Sequence, residues 1–89
     1  EYLYIPTVFT PNGDGANDTW KIRGIEWYPE AKVEIFDRWG TLLYKSEPGY
    51  PVPWDGKYKG RVMPMDAYYY VIKLKKGIKE HIGTVTLVK

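Results

Sequence analysis

The chain has 89 residues, carries 13 basic against 11 acidic side chains, and contains no cysteine. One small domain is the expected organisation. A disulfide framework and a Cys-ligated zinc site are excluded, a net charge of +2 is too small to argue for nucleic acid, and no apolar run has the length of a membrane-spanning helix. The four Trp, nine Tyr and two Phe must supply much of the core, because a domain of this size hides only about 60% of the surface its unfolded chain exposes.

The first predicted strand is 2–8. Its opening run, EYLYIPTVF, has neither a charged n-region nor a cleavage-site pattern, so it reads as part of a module from a longer protein rather than a signal peptide. FTPNGDGANDTW follows, with Asn12-Gly13, Asp14-Gly15 and Asn17-Asp18 crowded between Phe9 and Trp20. This loop admits two readings. In one, the glycines take positive φ and the Asn and Asp side chains cap backbone N–H groups. In the other, the hard oxygens of Asn12, Asp14, Asn17 and Asp18 hold Ca²⁺, completed by carbonyls or water. An EF-hand is excluded, since Ala16, Asn17 and Arg23 fall where that motif needs a ligand, a glycine and an acid.

Beyond the loop, period-two alternation predicts strands at 19–25, 31–39, 41–46, 57–62, 67–75 and 81–88. Trp20 and Ile22 oppose Lys21 and Arg23; Val33 and Ile35 oppose Lys32 and Glu34, with a bulge or strand end expected at Phe36; Tyr68, Tyr70, Ile72 and Leu74 share a face; Val85 and Leu87 alternate with Thr84 and Thr86. KKGIKE reads as a hairpin turn around Gly77. No segment shows an apolar helical stripe. Short strands separated by Gly and Pro turns predict an all-β sandwich or small barrel of about seven antiparallel strands. Alternating strand direction puts the 10–18 loop, the turn at Trp39-Gly40 and the turn at Pro64–Asp66 at one pole, which makes Asp66 an extra candidate for the calcium loop.

Catalytic signals are weak. The single His81 and the single Ser46 have no sign of a common orienting partner, and Asp55 and Asp66 sit in turn sequences that suit Asp for backbone reasons. Exposed Trp27, Trp39 or Trp54 would give a stacking platform for sugars, the mark of a carbohydrate-binding or adhesion module; buried, they are core. Lys73, Lys75, Lys76 and Lys79, with Lys57, Lys59 and Arg61, read either as a surface for anionic lipid or glycan or as lysines protecting a strand edge.

FTPNGDGANDTWKI, YPEAKVEIFDRWGTLLYKS, PWDGKYKGRVMP, AYYYVIKL and the closing GTVTLVK together resemble the gliding-motility-associated C-terminal domain, the type B sorting domain of the type IX secretion system of Bacteroidota, over the whole chain. The resemblance implies a single C-terminal sorting domain over 1–89, an Ig-like β-sandwich, and non-enzymatic work: a passenger N-terminal in the same chain is carried through the periplasm and across the outer membrane to the surface or medium. The implied partners are the translocon and an outer-membrane protein of the PorP/SprF kind. One departure stands out. Met65 and Asp66 occupy positions where the family reads Asp-Gly, so a positive φ is expected to fall on Asp66. Candidate recognition residues are Asn12, Gly13, Asp14, Gly15, Asn17 and Asp18 in the loop. The terminal segment adds Gly83, Thr84, Val85, Thr86, Leu87, Val88 and Lys89, as an edge able to pair with a receptor strand.

Overall fold

β-branched and aromatic residues at alternate positions make this chain pair into strands, and the residues on one side of each strand define the core. The computed structural model describes residues 3–11, 13 and 18–88. Seven strands occur: β1 Val8–Phe9, β2 Lys32–Phe36, β3 Leu42–Lys45, β4 Lys57–Tyr58, β5 Arg61–Val62, β6 Asp66–Lys73 and β7 His81–Leu87; the only other element among the described residues is a 3₁₀ turn at Ile25–Trp27. β1, β7, β6, β2 and β3 form one sheet in that order, and β4 and β5 form a separate hairpin. The expected all-β fold of about seven strands is found. β1 pairs with β7 in parallel, whereas every other pairing between named strands is antiparallel.

One face of the five-stranded sheet carries Val33, Ile35, Tyr68, Ile72, Val85 and Leu87, all at 2% exposure or less. The β4–β5 hairpin and the extended segments around Trp20 and Trp54 cover it as a second layer, compatible with a β-sandwich, and Trp20 and Trp54 are 0% and 1% exposed. Burying side chains of this kind contributes about 1.5–3 kcal/mol each. Their polar atoms are satisfied: Trp20 Nε1 donates to the Pro6 carbonyl at 2.9 Å, and Trp54 Nε1 to the Lys57 carbonyl at 3.1 Å. Tyr50 Oη donates to the Trp20 carbonyl at 2.5 Å and accepts from the Trp54 N–H at 2.9 Å, tying the two tryptophans together.

Three local expectations changed. The segments predicted as strands at 2–8 and 19–25 have the right faces, with Trp20 and Ile22 in and Lys21 and Arg23 out. Apart from Val8, however, they pair among the described residues only at the isolated bridges Tyr4–Arg23 and Trp20–Trp54. Proline limits them: Pro6, Pro51 and Pro53 lack the N–H a ladder needs. The predicted strand 57–62 is instead a hairpin. Lys59 and Gly60 both have positive φ, at 53° and 82°, the signature of a two-residue type I′ turn. The bulge expected at Phe36 lies there in register but inserts its extra residue in the neighbour: Ile35 pairs with Tyr44 and Phe36 with Leu42, leaving Leu43 unpaired and buried at 8% exposure.

Candidate functional site

The end of the sheet where β2 finishes and β6 begins gathers three connections. In the β2–β3 turn, Asp37 Oδ1 accepts from the N–H groups of Trp39 and Thr41, each at 2.9 Å, and Gly40 takes φ 83°. Arg38 reaches across to Asp66, with Nη2 and Nε at 2.7 and 3.0 Å from Oδ2, and its guanidinium lies 5.2 Å from the centre of the Trp39 ring. The 10–18 loop leaves from the same end: a Cβ on Gly56 would lie 3.0 Å from both Leu87 Cδ1 and Pro11 Cγ. The exit from β1 and the turns at Trp39-Gly40 and Pro64–Asp66 therefore share the pole that strand direction predicted. Hydrogen bonding and charge from Arg38 hold the Asp66 carboxyl below the ordinary carboxylate range, and the same pair raises Arg38. Asp66 is not in the left-handed region; among the described residues the non-glycine positions with positive φ are Tyr50 and Lys59. Its carboxylate already serves Arg38 through Oδ2 and the Ala67 N–H through Oδ1, so a cation drawing on Asp66 would compete with one of these partners.

Of the loop residues proposed for calcium or recognition, Asn12, Asp14, Gly15 and Asn17 lie outside the described residues, as does Lys89. Gly13, with φ 82°, donates its N–H to Asp18 Oδ1 at 2.9 Å, the backbone-capping contact of the structural reading.

β7 is more informative. Val85 and Leu87 are fully buried and Gly83 faces Tyr70 across the β6 pairing. A Cβ on Gly83 would lie 2.6 Å from Tyr70 Oη, so the glycine is required by this close approach. Thr84 and Thr86 belong to the opposite face. On the side of β7 away from β6, Thr86 N–H donates to the Thr7 carbonyl at 2.7 Å and Val88 N–H to the Phe9 carbonyl at 3.0 Å. The terminal segment is thus an edge only in part: β1 covers its last residues. By strand alternation Ile82 and Thr84 turn their backbone groups to the same side, and among the described residues no strand pairs there. Ile82 is 70% exposed.

The sheet face away from the core continues this open edge. Cross-strand register aligns Leu42, Phe36, Tyr69 and Thr84 in one row and Glu34, Val71 and Ile82 in the next. Leu42, Tyr69 and Ile82 are exposed, and Phe36 and Val71 are half-buried. Sequence reasoning assigned Tyr68, Tyr70 and Ile72 inward and did not ask what the intervening apolar residues do. The signal was available: AYYYVI is apolar on both parities, which in an outer strand leaves one apolar face outside. Ile82 was also left out of the recognition segment, which began at Gly83.

Other candidates are dispersed. His81 is exposed at the start of β7, whereas Ser46 is buried at the end of β3. There its Oγ accepts from the Val33 N–H at 2.8 Å while its own N–H donates to the Val33 carbonyl, extending the β2–β3 ladder. Trp54 is core and cannot be a sugar platform. Trp27 and Trp39 are 71% and 79% exposed but lie at opposite ends of β6, since Trp27 borders Leu74 and Lys75 while Trp39 stands beside the Arg38–Asp66 pair.

The chain matches the CHU_C type IX secretion signal domain across residues 3–87. It belongs to that family. A search of curated proteins and a search of solved structures each returned no match. The match supports a sorting-signal role for this secretion domain and, with it, engagement of the secretion machinery and export towards the surface or medium. The family is generally non-catalytic. Among the described residues of the sorting domain, no helix is long and apolar enough to cross a membrane.

Proposed function

We propose that the folded domain acts as an address label: the type IX translocon and an outer-membrane protein of the PorP/SprF kind dock on it, and an N-terminal passenger in the same chain is carried across the outer membrane with it. The observation that carries this reading is the family match over residues 3–87. The docking contact we assign is β-augmentation on the open edge of β7, with the backbone of Ile82 and Thr84 meeting a receptor strand. The apolar outer face around Tyr69 and Val71 would take up that strand's side chains. Gly83, Val85 and Leu87 act by building the strand, and Thr86 and Val88 by anchoring β1. The Asn12–Asp18 loop, together with Lys89, completes the proposed recognition surface.

The test fuses residues 1–89 to a periplasm-exported reporter in a bacterium that possesses the system, and follows the reporter. Extracellular reporter is expected; a folded reporter held in the periplasm would refute the sorting role. Thr84→Pro then addresses the edge. It removes an N–H that no β6 carbonyl uses, so the fold should survive while export falls at least tenfold. Unchanged export of a folded Thr84→Pro domain would remove the edge from the mechanism and leave the sorting role standing.

A further inference from the structure

The seven basic residues noted in the sequence separate in space. Lys57, Lys59 and Arg61 belong to the β4–β5 hairpin. Lys73, Lys75 and Lys76 gather instead at the β6–β7 turn, where Lys32 from β2 joins them around a cleft of about 520 Å³. Glu30 and Glu80 complete its charged lining, so four lysines stand against two glutamates and leave the cleft at +2. That equals the net charge of the whole chain, so the rest of the molecule balances to neutral. Lys73 is paired with Glu80, loosely, at 3.8 Å; no ion pair in the structure involves Lys32, Lys75 or Lys76 among the described residues. Lys32 and Lys73 are direct cross-strand partners, an arrangement in which like charges repel.

Next to this cleft, and sharing Glu30 and Lys75 with it, runs a groove of about 210 Å³ bordered by Trp27, Tyr28 and Leu74. Trp27 is 71% exposed at the end of the 3₁₀ turn. A converging set of cations thus adjoins a bare indole ring. The two features point to one ligand chemistry: a ring with an apolar face to lie on the indole and an acidic substituent to neutralise the lysines.

We propose that this end of the domain binds an acidic saccharide, with the sugar ring against Trp27 and the carboxylate, sulfate or phosphate among Lys32, Lys73, Lys75 and Lys76. An anion entering the cleft competes with Glu80 for Lys73, so the glutamates weaken binding. The site is separate from the β7 edge, and its test does not depend on export.

The experiment titrates the 89-residue domain with tetragalacturonate, with neutral maltotetraose and with inorganic phosphate, following tryptophan fluorescence and binding heat at two salt concentrations. Tetragalacturonate is expected to bind, more weakly at high salt, with maltotetraose at least tenfold weaker. Lys75→Gln and Trp27→Ala each change an exposed side chain, so both should fold like the parent and each lose about tenfold in affinity. Glu80→Gln should gain severalfold. No binding of tetragalacturonate at millimolar concentration would overturn the proposal. Phosphate binding of equal strength that is untouched by Trp27→Ala would also overturn it, reducing the cleft to a plain anion site. Capture of anionic vesicles without binding of the soluble oligosaccharide would overturn it in favour of a lipid surface.

Discussion

Tyr50→Phe removes one oxygen atom from the centre of the second layer. Tyr50 is 5% exposed, and its hydroxyl both donates to the Trp20 carbonyl and accepts from the Trp54 N–H. Phenylalanine keeps the ring, with its edge contacts to Trp20 at 6.4 Å and Tyr44 at 6.2 Å. What changes is that a carbonyl and an N–H, both belonging to residues with almost no water contact, lose their partner. Each buried group left unsatisfied costs about 1–3 kcal/mol, giving about 2–6 kcal/mol for the pair if little relaxation occurs. A domain of 89 residues is stable by only about 5–13 kcal/mol, so the melting temperature should fall by roughly 10–30 °C. The same hydroxyl carries a pH signature. Burial raises the phenol well above its ordinary value of 10.0. Above that pH the unfolded chain loses a proton that the native domain retains, so stability is complete below it and declines as pH rises towards the raised native value. Tyr50→Phe should flatten that alkaline decline as well as lower the plateau. Urea unfolding followed by tryptophan fluorescence and circular dichroism, at neutral pH and at pH 9 to 11, measures both effects. A loss below about 0.5 kcal/mol at neutral pH, within the range of an ordinary surface substitution, would refute the bridging role given to Tyr50.

Gly83→Ala puts a Cβ where Tyr70 Oη now stands and pushes that ring off Trp20, whose centroid is 5.1 Å away; a loss of about 1–3 kcal/mol is expected, partly restored by Tyr70→Leu in the same chain. In a carbon-detected NMR titration the Asp66 carboxyl should protonate below its ordinary 3.8, and Arg38→Gln should move it upward. The native-state contribution of that carboxylate is present above the ordinary value and disappears as pH falls through the depressed one. Calcium separates the two readings of the 10–18 loop: a native-only site must raise the melting temperature with added Ca²⁺, and an unchanged melting temperature at millimolar Ca²⁺ would leave the loop purely structural. Lys59→Asn, placing a residue better suited to positive φ in the β4–β5 turn, should raise the melting temperature by a few degrees.

The recognition surface was legible in part. GTVTLV announced a strand with Val85 and Leu87 inward, and both are fully buried. Its status as an edge could not be read there, because that depends on how far β1 pairs along it, a contact between residues almost the whole chain apart. The same applies to the lysines: their spacing in KLKK is visible, but Lys32 joins them only because β2 pairs with β6 in a register that sets Lys32 opposite Lys73. For Trp54 the sequence left platform and core both open, since an aromatic beside prolines suits a surface turn as well as a core; Phe9 and Tyr68 packed on it, at 5.5 and 5.6 Å, decide for the core.

By itself the sequence determined which side of each long strand is buried, the turns at Gly40 and Gly77, and the family to which the chain belongs. Those properties are local or patterned: alternation assigns faces, and turn dipeptides assign φ. Tertiary structure alone decided the partly covered β7, the β4–β5 hairpin within 57–62, the pairing of Asp66 with Arg38, and the meeting of Trp27 with a cluster of lysines. Each of these depends on long-range register and on proline-interrupted pairing, and backbone hydrogen bonds between distant segments form only when the whole core can close around them.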